Sequence, residues 1–204
     1  LDLAAVNAPK LSVVSGPNEV LASFVAQLER EGIQAKPIPI DVAAHSRMLE
    51  PILSDFEAHL RSIRLNPPSI PIISNRTGRP LTDEEATSPR YWTEHLRRPV
   101  RFDDCVSFAH DLGGPVFIEC GPGRVLSSLV ASRGDVERDA ILTSTPQAGS
   151  GEDSLAHFRV ALARAAVAGL DLDLAAQFRE GRRIALPTYA FQHRPYFFER
   201  VQPT

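Results

Sequence analysis

The chain reads Val42-Ala43-Ala44-His45-Ser46-Arg47-Met48-Leu49-Glu50-Pro51 where an apolar, strand-like run gives way to an amphipathic helix. This junction decides the fold, because a strand that passes directly into a helix is the repeating unit of a mixed α/β domain. Ser46 is a residue type that caps helices. His45 lies at the junction, and histidine is the side chain whose ordinary pKa best suits proton transfer near neutral pH. A buried or helix-capping histidine fits the same position, and position alone favours neither interpretation.

The segments on either side of the junction predict further strands and helices. Downstream, apolar residues recur at helical spacing to about Leu65, and they are Leu49, Ile52, Phe56, Leu60 and Ile63. Upstream, the predicted order is strand, strand, helix and strand, at Leu3–Asn7, Lys10–Ser15, Asn18–Gly32 and Ile33–Ile40. Asn18 is expected to cap the helix, and Pro37 and Pro39 assign the last strand to a sheet edge.

The rest of the chain repeats the strand–turn–helix pattern. Two short apolar runs, Ile70–Ser74 and Pro115–Glu119, read as buried strands, and Gly121-Pro122-Gly123 turns the second one into a helix. Helices are predicted at Pro89–Leu96, Val100–Leu112, Val125–Ser132 and Leu155–Gly169, with a further turn at Leu174–Phe178. This order predicts an α/β domain with a partly parallel sheet. Aromatic residues then collect in an irregular tail at Leu186–Phe198.

Composition excludes several classes of protein. A formal net charge of −3 over 204 residues argues against nucleic-acid binding, which requires a basic surface. No apolar run approaches the roughly 18 residues that span a bilayer, so we expect no membrane association. The two cysteines, Cys105 and Cys120, form no disulfide framework, which favours a reducing cytoplasmic setting. The chain opens in mid-strand without Met, and we expect it to be a segment of a larger protein.

Few other residues suggest chemistry. The histidines and cysteines show no metal-ligand spacing, so no metal is expected. His95 lies beside Arg97, Arg98 and Arg101, which fit either an anion site or a solvated helix face. The sequence contains no Gly-x-Ser-x-Gly turn of the kind that exposes a nucleophilic serine. If the chain takes part in acyl transfer, another segment must therefore supply the nucleophile.

A set of motifs runs in order along nearly the whole chain. They are Ala5-Val6-Asn7-Ala8-Pro9, Val13-Val14-Ser15-Gly16, His45-Ser46 with Met48 and Glu50-Pro51, Ile73-Ser74-Asn75 with Thr77-Gly78, Tyr91-Trp92, His95-Leu96-Arg97-Arg98-Pro99-Val100-Arg101-Phe102, Glu119-Cys120-Gly121-Pro122-Gly123, and Leu186-Pro187-Thr188-Tyr189 with Phe191-Gln192. Together they resemble the acyltransferase domain of modular type I polyketide synthases, a relative of malonyl-CoA:acyl carrier protein transacylases.

The resemblance implies an α/β-hydrolase-like core with an inserted ferredoxin-like subdomain. Residues 1–40 would form the later part of that subdomain, residues 41–145 the C-terminal part of the core, and residues 146–204 the linker that follows it. The implied activity transfers malonyl or methylmalonyl units from CoA to the phosphopantetheine thiol of an acyl carrier protein. His45 would be the base of a Ser–His pair, and the backbone carbonyl at His95 would orient it. No cofactor is implied in this chain, because acyl-CoA is the substrate.

Two alternatives remain open. The chain could be a catalytically inert docking scaffold that binds a carrier protein or a neighbouring domain, or it could belong to a fatty acid synthase transacylase. The extender unit is also open, because Val42-Ala43-Ala44-His45 matches neither the malonyl nor the methylmalonyl pattern of the family it resembles. Malonyl is slightly favoured by its frequency in that family.

Overall fold

The computed structural model describes residues 1–40, 42–173, 176 and 184–194. The chain divides into two compact units, Leu1–Leu170 and Asp171–Thr204. The α-helices of the first unit are α1 (Asn18–Arg30), α2 (Glu50–Ser62), α3 (Asp83–Ala86), α4 (Pro89–Arg97), α5 (Phe102–Asp111), α6 (Val125–Arg133) and α7 (Ser154–Val167). Short 3₁₀ turns at Arg47–Leu49 and Arg138–Ala140 precede α2 and a later strand.

The strands of the first unit form three small sheets. They are β1 (Asp2–Ala8), β2 (Leu11–Ser15), β3 (Ile73–Ser74), β4 (Arg79–Pro80), β5 (Val100–Arg101), β6 (Phe117–Glu119) and β7 (Ile141–Thr143). The antiparallel hairpin β1–β2 is extended by β5, which pairs with β1 in parallel, and β6 pairs with β7 in parallel. Strands β3 and β4 form an antiparallel pair. The predicted partly parallel sheet is therefore confirmed.

The hairpin and the helix after His45 form as predicted because turn and cap residues specify them. Ser46 begins the turn that leads into α2, and its hydroxyl accepts a hydrogen bond from the backbone N–H of Met48 at 3.1 Å. Pro51 occupies the first turn of α2, where its missing N–H has no intrahelical partner in any case. Asn18 is the first residue of α1 and does not cap it, since Pro17 holds that position.

Some predicted elements are shorter than expected or do not form. Residues 33–40 form no strand, because Pro37 and Pro39 lack the N–H groups that a sheet ladder requires. Only Ile73–Ser74 of the run from Ile70 pairs, and Ile70 is 75% exposed. The predicted helix from Val100 begins instead at Phe102, because Val100 pairs with Ala5 in β1.

Packing around α2 and α4 brings the sequence motifs together. Helix α2 packs against α4, and the 3₁₀ turn after Ser46 also contacts α4. Leu49, Leu60 and Tyr91 are buried in this region, which removes their apolar surface from water. Helix α4 then leads directly into β5, so the hairpin, the His45 junction and the α4–β5 connection become neighbours.

The second unit is described at residues 171–173, 176 and 184–194. The turn predicted at Leu174–Phe178 falls outside these residues except at 176, and Pro195–Phe198 of the aromatic tail lies outside them as well. Tyr189 and Phe191 are more than two-thirds exposed, and their rings meet edge-on with centroids 5.3 Å apart.

Candidate active site

His45 has an unusual backbone conformation. Its φ angle is 56°, and it is the one residue other than glycine with a positive φ among those described. A left-handed conformation costs a residue with a Cβ roughly 1–2 kcal/mol, so neighbouring contacts must hold it. On one side, the Ser15 hydroxyl donates to the carbonyl of Ala44 at 2.9 Å. On the other, Ser46 is fully buried and donates to the carbonyl of Ala43 at 2.7 Å.

The imidazole of His45 is oriented by a backbone carbonyl from the α4–β5 connection. Its Nδ1 lies 2.9 Å from the carbonyl oxygen of Arg98, which is 53 residues away in the chain. A carbonyl oxygen can only accept, so Nδ1 donates and carries the proton of the neutral ring. Nε2 is then the unprotonated nitrogen, which can accept a proton from a hydroxyl or thiol. This is the tautomer that a general base requires.

The orienting carbonyl was predicted at His95, and the structure places it at Arg98 instead. The difference follows from the end of α4. The backbone N–H of Arg98 still bonds to the carbonyl of Glu94 at 2.8 Å, which closes the last turn of α4. Arg98 has left the helix with a ψ of 157°, so its carbonyl is available to a partner from another segment.

The side chain of His95 lies beside that of His45. The two rings meet edge-on at 6.3 Å between centroids, and the Trp92 ring lies 5.8 Å from that of His95. Nε2 of His95 donates to the side-chain oxygen of Asn75, which follows β3. Burial lowers the pKa of His95, and the nearby His45 and Arg76 lower it further. His95 is therefore expected to remain neutral at neutral pH.

The arginines near His95 are largely paired with carboxylates of the protein. Arg97 contacts Glu50 at 3.2 Å and Asp2 at 3.6 Å, and Arg101 contacts Asp104 at 2.6 Å. Arg98 is exposed. Because Arg97 and Arg101 are already paired with carboxylates of the protein, a structural role fits these two residues better than an anion site does.

The Gly121-Pro122-Gly123 turn serves to begin α6. The Glu119 carboxylate accepts hydrogen bonds from the N–H groups of Leu126 at 3.1 Å and Ser127 at 2.9 Å. Burial alone would raise the pKa of Glu119, but these bonds and that of the Ser127 hydroxyl lower it below its usual value. Glu119 thus stabilises the helix N-terminus as an anion.

Neither cysteine has the surroundings of an activated nucleophile. Burial, together with the charge of Asp104, raises the pKa of the Cys105 thiol to about 11, which disfavours the reactive thiolate. Cys120 is exposed, and both cysteines are free. Among residues 1–40, 42–173, 176 and 184–194, no group of three or more His, Cys, Asp or Glu side chains could hold a metal ion. Within the same residues, no helix is both long and apolar enough to cross a membrane.

Sequence reasoning missed Asp2 and Asn75 as residues near the site. Asn75 was recognised only as part of a motif, and Asp2 had no motif at all. Their partners, Arg97 and His95, lie on α4, far away in sequence, so no local spacing reveals either contact.

Comparison with known proteins identifies the family. Residues 1–172 match the family described as the acyl transferase domain. The chain is 36% identical over 197 residues to mycoketide-CoA synthase of Mycobacterium tuberculosis (strain ATCC 25618 / H37Rv), covering 97% of this chain and 5% of that protein.

Two solved structures share the fold. The acyltransferase domain of the second module of the salinomycin polyketide synthase superposes with a TM-score of 0.80 and 33% identity, covering 93% of this chain and 44% of the other. The acyltransferase domain of SpnD, solved in complex with 2-(pent-4-yn-1-yl)malonyl, gives a TM-score of 0.78 and 37% identity over 82% of this chain and 41% of that one.

The chain therefore spans less than half of these solved domains and a small part of the curated synthase. The predicted α/β fold and the predicted family resemblance are confirmed by these matches. The chain belongs to the acyl transferase domain family that polyketide synthases contain.

Proposed function

We propose that the chain supplies the general base of an acyltransferase that moves malonyl or methylmalonyl units from CoA to the phosphopantetheine thiol of an acyl carrier protein. The observation that carries this proposal is the hydrogen bond from Nδ1 of His45 to the Arg98 carbonyl at 2.9 Å. It orients the ring and leaves Nε2 unprotonated, as a base requires.

The first half-reaction begins at a serine hydroxyl placed next to Nε2 of His45. The serine oxygen attacks the carbonyl carbon of the acyl-CoA thioester, and Nε2 takes the hydroxyl proton as the new C–O bond forms. The tetrahedral intermediate then collapses, the C–S bond breaks, and the CoA thiolate leaves with the proton from His45. The product is an acyl-serine ester and free CoA.

The second half-reaction reverses these roles. The carrier's phosphopantetheine thiol gives its proton to Nε2 and attacks the ester carbonyl. The C–O bond breaks, and the serine oxygen recovers the proton from His45. His95 acts in both steps by packing against the base, and its lowered pKa keeps a second positive charge away from the imidazolium.

We assign the serine to a segment outside these 204 residues. The absence of a Gly-x-Ser-x-Gly turn from the sequence supports this, as does the match to less than half of the solved domains. We also assign residues 1–40 to the later part of a ferredoxin-like subdomain, residues 41–145 to the C-terminal part of the core, and residues 146–204 to the linker that follows it. The free state of both cysteines fits a cytoplasmic setting.

The extender unit is proposed to be malonyl, with methylmalonyl as the second candidate. Ala43 and Ala44, directly before His45, are half-buried and small, so a methyl branch meets no bulky side chain there. One methyl group is worth only about 1–3 kcal/mol of discrimination, which a pair of alanines does not decide. The SpnD domain, which is 37% identical, was solved with a larger substituted malonyl group.

The test is acyl-enzyme formation in the full polypeptide that carries both the serine segment and this chain. Labelled malonyl-CoA should acylate the wild type and the His59→Ala variant at equal rates, because His59 is exposed on α2. We expect His45→Ala to slow acylation by about 10²- to 10⁴-fold. Acylation of His45→Ala at the wild-type rate would refute the proposal.

One observation favours a second candidate, an inert docking scaffold. The apolar side chains of Ile184, Leu186, Tyr189 and Phe191 are between 66% and 75% exposed, and such surfaces often bind other proteins. Incubating the full polypeptide that carries the serine segment with labelled extender-CoA separates the two candidates. Labelling of the wild type that is lost in His45→Ala would refute an inert scaffold.

A further inference from the structure

The open end of the β1–β2 hairpin reaches the segment that carries His45. Asp2 and Ser15 are register partners across the hairpin, so their side chains lie side by side. Ser15 donates to the carbonyl of Ala44 at 2.9 Å, directly before His45. Asp2 binds Arg47, shortly after His45. The two hairpin residues therefore hold the histidine segment on both sides.

Asp2 binds Arg47 through backbone and side chain together. Its Oδ2 accepts from the backbone N–H of Arg47 at 3.3 Å and from Nε at 3.1 Å, while Oδ1 accepts from Nη2 at 3.3 Å. The side-chain hydrogen bond from Arg47 lowers the pKa of Asp2. The Asp2 side chain is only 14% exposed, whereas Arg47 is 67% exposed. Asp2 is thus the more buried member of the pair, and it binds both the backbone N–H and the side chain of Arg47.

The same carboxylate also reaches the other partner of the catalytic hydrogen bond. Oδ1 of Asp2 lies 3.6 Å from Nη2 of Arg97, the residue before Arg98. Nε of Arg97 also donates to the carboxylate of Glu50 at 3.2 Å. Asp2 therefore connects to both ends of the bond between His45 and the Arg98 carbonyl, to one end through Arg47 and to the other through Arg97.

We propose that Asp2 and Ser15 are positioning residues that hold His45 in its left-handed conformation with Nδ1 on the Arg98 carbonyl. This proposal rests on the proposed role of His45 as the base. Asp2 fixes the chain after the histidine and Ser15 fixes the chain before it. Neither residue is required to touch the substrate.

The physical reason is the φ angle of 56° at His45. Contacts from several sides must hold such a conformation, because an unconstrained residue relaxes to a negative φ. Relaxation would turn the imidazole away from Arg98 and remove Nε2 from the position of the attacking hydroxyl. A misplaced base slows the chemical step and leaves substrate binding intact, so the expected effect is on kcat and not on KM.

The experiment measures acyl transfer by the full serine-containing polypeptide with Asp2→Asn, Ser15→Ala and both changes. We expect each single variant to lower kcat by about 10-fold and the double variant by up to about 100-fold, with KM changed less than about twofold. Asp2→Glu should recover most of the rate. Asp139→Asn is the matched control, since Asp139 is fully exposed and pairs with Arg164 at 3.5 Å.

A spectroscopic signal distinguishes positioning from general stability. The Nδ1 proton of His45 should give a downfield resonance in the wild type and in Asp139→Asn, and this resonance should weaken or disappear in Asp2→Asn. If Asp2→Asn fails to fold, Arg47→Gln removes the side-chain part of the contact and leaves the Asp2 carboxylate with its bond to the backbone N–H of residue 47, so smaller losses in the same direction are expected.

The outcomes separate this proposal from the proposed function. If His45→Ala abolishes transfer while Asp2→Asn and Ser15→Ala keep both the wild-type kcat and the Nδ1 signal, the positioning role is wrong and the base assignment stands. If His45→Ala transfers at the wild-type rate, the base assignment itself is wrong. A loss confined to KM would also overturn positioning.

Discussion

The imidazole of His45 meets that of His95 edge-on, with 6.3 Å between the ring centroids and 81° between the ring planes. The two rings have different partners. His45 donates to a backbone carbonyl, while His95 donates to the Asn75 side chain. Among the residues that the structure describes, Nε2 of His45 has no hydrogen-bond partner, whereas Nε2 of His95 is bonded. The pair thus divides into a base and a supporting residue.

The lowered pKa of His95 predicts a pH-dependent stability. Burial, followed by the charges of His45 and Arg76, lowers this pKa in the folded chain. As the pH falls below about 6.5, the unfolded chain binds the proton first, so the free energy of unfolding decreases until the folded pKa is passed. Urea denaturation at about pH 7.5 and about pH 5.5 should show a smaller loss of stability on acidification for His95→Gln than for the wild type. Equal losses would contradict this explanation.

The two cysteines should differ in reactivity. The raised pKa of about 11 keeps Cys105 as a thiol, whereas Cys120 is exposed. At about pH 8 an alkylating reagent should modify Cys120 in the folded protein and leave Cys105 unmodified, as mass spectrometry of the peptides would show. Both should react after denaturation in urea. Rapid modification of Cys105 in the folded protein would refute the assigned environment.

Glu119→Gln should weaken the start of α6. The uncharged amide keeps a single acceptor oxygen, so one of the N–H groups of Leu126 and Ser127 loses its partner, and the favourable charge at the helix N-terminus is lost as well. We expect a loss of about 1 kcal/mol in the free energy of unfolding at neutral pH. The pKa of Glu119 is lower in the folded chain than in the unfolded chain. The difference in stability between the wild type and Glu119→Gln is therefore largest at pH values above the ordinary carboxyl pKa, and it disappears as the pH falls through the pKa of Glu119 in the folded chain. A difference that stays constant down to acid pH would contradict the charge effect.

Gly78→Ala should be more destabilising than Gly32→Ala. Both glycines have left-handed backbones, with φ angles of 71° and 73°. A Cβ at Gly78 would lie 2.5 Å from the Cβ of Asp104, whereas a Cβ at Gly32 meets nothing within 4 Å. We expect the Gly78 variant to lose about 1–3 kcal/mol beyond the loss of the Gly32 variant. Thermal or chemical denaturation of both variants measures the difference, and equal losses would show that the close approach is unimportant.

Local signals in the sequence were sufficient for the hairpin, for the cap at Ser46 and for most helices. These features depend on residues close in sequence, such as Ser46 with Met48, and the structure confirms them. Proline explains the failed strand at 33–40, where Pro37 and Pro39 were read as marks of an edge strand. A segment forms a strand only when its backbone N–H and C=O groups bond to a neighbouring strand, and proline has no N–H to donate.

The site was only partly accessible to sequence reasoning. His45 could be singled out because its junction and motif are local, but its orienting carbonyl at Arg98 comes from another helix end. The contact of Asp2 with Arg97 depends on the pairing of β1 with β5, the strand that follows α4, and no single segment encodes that pairing. Such contacts arise from packing, and packing is decided by the whole chain.

The most direct test of the account is the protonation of the His45 imidazole, read from its ¹⁵N chemical shifts in the neutral state at about pH 8. His45→Gln would assign the signals. We predict that Nδ1 carries the proton and that Nε2 is the unprotonated nitrogen, as the bond to the Arg98 carbonyl requires. A neutral ring with its proton on Nε2 would contradict that bond and, with it, the role of His45 as the base.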